Sequence, residues 1–177
     1  MFHGLKSYTK SSDTREYIIS NHTDEIHTLC AEGNIVWVSK ESKVGSTTID
    51  SCMFVVIILN DESKICIHHN LQDEMSFLAT DVIDGVDNHF FNFYEQNLYS
   101  IDNILNRSSV NNGNIKHIYL ISPMNIKSDY ENYYKLYFEN LVLENPNKIT
   151  LIKGNAEYNI IVNDNNEILN LQNSMRW

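Results

Sequence analysis

Proline, glycine and cysteine are all scarce in this chain, at 2, 6 and 3 of 177 residues. Two prolines, Pro123 and Pro146, and no low-complexity stretch or internal repeat leave nothing that divides the sequence. A single domain over 1–177 is expected, with 1–22 irregular or partly helical. The cysteines, Cys30, Cys52 and Cys66, are odd in number and lack framework spacing. They read as free thiols of a reducing compartment. With no CxxC pair and no HExxH, zinc has no support, and no metal or organic cofactor is expected.

Positive charge is scarce too. Lys and Arg number 13 against 23 Asp and Glu, a formal net charge of -10, and no Lys/Arg-rich run interrupts this. Nucleic acid and anionic membrane surfaces are excluded as partners, whereas a basic protein surface would be attracted. No apolar run approaches the roughly 20 residues that span a bilayer. Met1 to Lys10 is polar, without the apolar core of a cleaved signal. The expectation is a monomer that stays in the cytoplasm, or one delivered into a target cell by a route that cleaves no signal.

The secondary-structure signals are clearer. Ile26 to Ala31 and Ile35 to Ser39 flank Glu32-Gly33-Asn34 and read as a hairpin. Gly45-Ser46-Thr47-Thr48 reads as a small hydroxyl-rich loop. Cys52 to Leu59 is a continuous apolar run, expected as a buried central strand, and Lys64 to His69 returns beside it after a turn at residues 60–63. Phe90, Tyr94, Leu98, Ile101 and Leu105 recur at helical spacing behind Asp87 as N-cap. A second amphipathic helix covers Ser128 to Leu143, with an aromatic stripe of Tyr130, Tyr133, Tyr134, Tyr137, Phe138 and Leu141. Ile115 to Ser122, Ile149 to Lys153, Tyr158 to Asn163 and Ile168 to Leu171 read as strands. This order predicts an α+β fold: mixed, mainly antiparallel sheet packed against two amphipathic helices.

One segment carries chemistry. Cys52 stands where the hydroxyl-rich loop enters the apolar strand, and the returning arm carries His68 and His69. With Asp61 and Glu62 as a two-residue turn, Cys52 faces Leu71 and His69 faces Phe54. Cys52 and His69 then share a face as diagonal neighbours, roughly 5–8 Å apart at Cβ. A one-residue bulge would put His68 in that place. An imidazole next to a thiol accepts its proton and makes the nucleophilic thiolate. Ser46, Thr47 and Thr48 are the nearest groups to orient the ring, with Asp50 a weaker choice, and backbone N–H groups at Cys52 could hold an oxyanion. Set against this, a buried free cysteine opening an apolar strand is ordinary core. Cys66, Cys30 and the other histidines have no comparable surroundings.

The order of Ile49-Asp50-Ser51-Cys52, an apolar strand, an acidic turn and Lys64-Ile65-Cys66-Ile67-His68-His69 resembles bacterial Cys-His protein glutamine deamidases. That group includes the chemotaxis receptor deamidase and the catalytic domains of cytotoxic necrotizing factor and Burkholderia lethal factor. Asp50-Ser51 stands where the group has Ser-Gly. The resemblance implies Cys52 as nucleophile, His69 as base, and Ser46, with Thr47 beside it, in the place of the group's threonine. It implies a hydrolase, toxin or effector, that converts a glutamine on a protein substrate to glutamate without a cofactor. A non-catalytic acidic binding module, such as an immunity or adaptor protein, is the other expectation.

Overall fold

A computed structural model describes residues 26–69, 81–84, 89–92, 98–143 and 145–171. The expectations for 1–22, Leu71, Asp87 and Tyr94 lie outside these residues, as do the side chains of Thr47 and Thr48. The chain builds β1 (Thr28–Leu29), β2 (Asn34–Val38), β3 (Val44–Ile49), β4 (Met53–Leu59), β5 (Lys64–His69), β6 (Asp81–Asp84) and β7 (His89–Asn92). These are followed by α1 (Leu98–Arg107), β8 (Ile115–Ser122), α2 (Ser128–Leu141), β9 (Ile149–Lys153), β10 (Tyr158–Val162) and β11 (Ile168–Asn170). The fold is α+β.

The strands form two sheets. One runs β6-β7-β2-β5-β4-β8-β9 and the other β1-β3-β10-β11. Pairing is antiparallel except for β1 with β3 and β8 with β9. The second exception follows from α2, which crosses over between β8 and β9 as parallel neighbours require.

The seven-stranded sheet is covered on both faces. Met53, Val55, Ile57, Ile65 and Ile67 pack with Ile101, Ile104 and Leu105 of α1 and Tyr134 and Phe138 of α2. Phe54, Val56, Ile58, Cys66 and Val36 pack with Val44, Ile49, Tyr158, Ile160 and Val162 of the smaller sheet. This double cover is why Met53–Leu59 is apolar without alternation, and all seven of its residues are buried. Each such side chain contributes roughly 1.5–3 kcal/mol on full burial.

Three expectations change. The arms flanking Glu32-Gly33 are not a hairpin, because β1 joins β3 in the smaller sheet while β2 lies between β5 and β7 in the larger. The hydroxyl-rich loop is strand β3. Phe90 belongs to a strand, and the first helix begins only at Leu98.

The turn between β4 and β5 sets the register of the site. Glu62 N–H donates to Leu59 C=O at 2.9 Å, and Leu59 N–H to Ser63 C=O at 2.9 Å. Glu62 takes a φ of 73°. The loop is therefore three residues, Asn60 to Glu62, a type I turn closed by a left-handed residue, and not the expected two. The extra residue moves the pairing by one, to Met53 with His69 and Phe54 with His68.

Candidate functional site

Moving the register by one residue exchanges the faces of the two histidines. His69 joins Ile65 and Ile67 on the helix side, where its Nδ1 shares a hydrogen bond with the Tyr134 hydroxyl and the rings meet edge-on at 5.6 Å. Both residues are fully buried. The expected Cys52–His69 pair is thus not formed. By strand parity Cys52 falls with Phe54 and its partner His68, on the face opposite His69.

His68 takes the face toward the smaller sheet, edge-on to Phe54 at 6.0 Å. Its Nδ1 lies 2.8 Å from Ser46 Oγ on β3, and Ser46 Oγ lies 2.5 Å from the Cys30 carbonyl. The protonation pattern follows from donor counting. A carbonyl only accepts, so the single hydroxyl proton of Ser46 goes to Cys30. Ser46 Oγ must then accept, and His68 Nδ1 carries the ring proton. The other nitrogen, Nε2, is left with a lone pair. It is buried and has no hydrogen-bond partner among the described residues. Burial is the main cause that pushes His68 down to about 4, against the pull of Glu32, the Cys30 backbone and Asp50. The ring is neutral at pH 7.

Cys52 precedes β4 by one residue and is 3% exposed. Its parity is that of Phe54, the direct partner of His68. Its sulfur is not sealed in hydrocarbon: Sγ–H donates to Glu32 Oε1 at 2.8 Å. Glu32 comes from the β1–β2 turn, where Gly33 adopts a φ of 85° that a side chain would resist. Burial first, then the hydrogen bond and charge of Glu32 and the charge of Asp50, hold the Cys52 thiol well above its ordinary range. Ser51 acts in the opposite sense. Cys52 rests as a thiol, and Glu32 and Asp50 influence both it and His68.

The structure therefore gathers Cys52, Glu32, His68, Ser46 and the Cys30 carbonyl at one end of the gap between the sheets. Ser46 is buried and its hydrogen-bonded ring is His68, not His69. Sequence reasoning missed Glu32, which lies 20 residues upstream in a turn with no local signal tying it to Cys52. Cys30 and Cys66 are fully buried, and burial pushes Cys66 up to about 12. All three cysteines are free. Among the described residues no three His, Cys, Asp or Glu side chains are grouped to hold a metal ion, and no helix is long and apolar enough to cross a membrane.

No family model, curated protein or solved structure matches the chain.

Proposed function

We propose that this chain is a protein glutamine deamidase in which Cys52 is the nucleophile, His68 the base and Ser46 the residue that positions the base. The observation that carries this reading is the relay from His68 Nδ1–H through Ser46 to Cys30 C=O. It fixes the tautomer whose Nε2 can take a proton, on the sheet face that Cys52 shares. Cys52 rests as a thiol on Glu32 and His68 as a neutral ring, so the thiol proton passes to Nε2 only as the sulfur attacks.

In the reaction, Cys52 sulfur bonds to the carboxamide carbon of a glutamine and its proton passes to His68 Nε2. Backbone N–H groups at Cys52 hold the oxyanion. The C–N bond breaks, the nitrogen takes the proton from His68, and ammonia leaves a thioester. Water, deprotonated by the same imidazole, hydrolyses the thioester to glutamate and regenerates the thiol. The target gains a negative charge and loses an amide donor, which suits a switch imposed on a partner protein. The chain works as a monomeric toxin or effector in a reducing cytosol, whether its own or a target cell's, where its thiols stay reduced.

The test is glutamate formation. Candidate proteins incubated with the chain are mapped by mass spectrometry for Gln-to-Glu conversion, with ammonia release in parallel. Conversion is expected with the parent and not with Cys52→Ser; equal conversion by Cys52→Ser overturns the assignment.

A second reading, a non-catalytic binding module, is favoured by the exposed Tyr133 and Leu136 on the outer side of α2. It is supported if Cys52 is inert to iodoacetamide at pH 6–7 and contradicted by a selectively fast Cys52.

A further inference from the structure

We propose that Glu32 is a releasable latch on Cys52, and that a cationic side chain beside the target glutamine releases it. The latch is geometric. Glu32 is itself exposed on its turn, yet its carboxylate accepts the proton of a sulfur whose residue is 3% exposed. While the carboxylate holds the thiol proton, that proton is not shared with His68 Nε2, which has no hydrogen-bond partner among the described residues. The arrangement has a direction: the latch comes from the solvent side and the sulfur lies inside.

The surroundings of the sulfur select what opens it. From the β1–β2 turn comes Glu32; from the segment before β4 come Asp50 and Ser51, whose Oγ lies 3.3 Å from Asp50 Oδ1. From β5 and β3 come neutral His68 and Ser46, with Cys30 beside them. The leading charges on both Cys52 and His68 are these two carboxylates. An arginine or lysine that pairs with Glu32 removes the acceptor from the sulfur and cancels a charge that opposes the thiolate. An acidic neighbour does neither. On the sheet face whose parity Cys52 shares, His68 Nε2 is buried and without a hydrogen-bond partner among the described residues, and it receives the thiol proton once the latch has moved. The substrate class follows as a glutamine flanked by basic residues. This half rests on the deamidase reading, while the latch itself does not.

The experiment measures Cys52 alkylation by iodoacetamide, located by mass spectrometry, from pH 6 to 10. The parent is compared with Glu32→Gln and Glu32→Lys, alone and with Arg-Gln-Arg or Glu-Gln-Glu peptides. Near neutral pH, Glu32→Gln is expected to react about tenfold faster, as for a thiol relieved of one adjacent negative charge, and Glu32→Lys faster still. Arg-Gln-Arg accelerates the parent and has little effect on Glu32→Gln. Unchanged or slower alkylation of both variants overturns the latch, and equal acceleration by the acidic peptide overturns the cationic release. Glutamate formed from the peptides is read separately. Faster alkylation with no glutamate leaves the latch standing without the deamidase; glutamate with unaltered alkylation does the reverse.

Discussion

Ser46 and His68 meet across the gap between the two sheets, Oγ to Nδ1 at 2.8 Å, with the Ser46 proton already committed to Cys30 C=O. This polar connection ties the orientation of a buried ring to the backbone of the opposite sheet. Ser46→Ala removes the acceptor and leaves a buried N–H unsatisfied, at a cost of about 1–3 kcal/mol in stability. On the deamidase reading it also lowers kcat more than it changes KM and alters the pH profile of kcat, because the ring loses its fixed tautomer. Ser46→Thr, which keeps the hydroxyl, restores the profile. Denaturation curves and rate–pH profiles of the two variants check this.

The two histidines separate by face and partner. On the deamidase reading, His68→Gln is expected to abolish glutamate formation. Tyr134→Phe removes the hydroxyl that bonds His69 and costs about 1–3 kcal/mol by leaving a buried ring nitrogen short of a partner. It leaves the alkylation rate of Cys52 unchanged. Should Tyr134→Phe slow Cys52 as much as His68→Gln does, the assignment of faces is wrong.

Acid should loosen the fold in a window set by His68. Its folded pKa is lowered from 6.5 to about 4, so between those values the unfolded chain binds more protons than the folded one. Stability then rises with pH across the window and is lost as pH falls through it. The full effect is on the order of 3 kcal/mol. Urea titrations at intervals between pH 4 and 7 are expected to show this slope in the parent and a flatter one in His68→Asn. Asp61 and Glu131, whose folded pKa values are depressed, add their losses at lower pH in both proteins.

At the other end of the same gap, Lys64 is fully buried, and its ammonium donates to Lys40 C=O at 2.8 Å, Asn163 C=O at 2.7 Å and Asn166 Oδ1 at 2.9 Å. All three donors are used. Lys64→Met keeps the apolar stem and strands three acceptors. At roughly 1 kcal/mol for each lost bond, a loss of about 2–4 kcal/mol is expected, seen as a lower urea midpoint with an unchanged slope. A midpoint equal to that of the parent would show that water satisfies these oxygens equally well.

What the sequence made legible was governed by local periodicity. The runs of β4, β5 and β8, the aromatic stripe of α2 and the last three strands are patterns complete within themselves. What it hid depends on distant partners. β3 was disguised as a loop because it carries Gly45 on one face and Ser46 on the other in place of bulky residues. Each has a non-local reason. A Cβ at Gly45 would sit 2.5 Å from Ile26 Cδ1, and Ser46 serves His68. Ile26 to Ala31 and Ile35 to Ser39 look like two arms of one hairpin, yet only contacts with Gly45 and His68 decide that they enter different sheets. The site turned on a single residue. The left-handed Glu62 lengthens a turn by one, and the pleat converts that into a change of histidine. The Cys-strand-His order was readable; which ring takes the face toward the smaller sheet was not.

The Lys64 cage has a kinetic corollary. Two of its three oxygens belong to the β10–β11 connection, 99 and 102 residues downstream. Until that connection docks, burying the Lys64 stem would strand an uncompensated charge, so the gap between the sheets stays wet. Closure therefore waits on pairings of long sequence separation, which nucleate slowly.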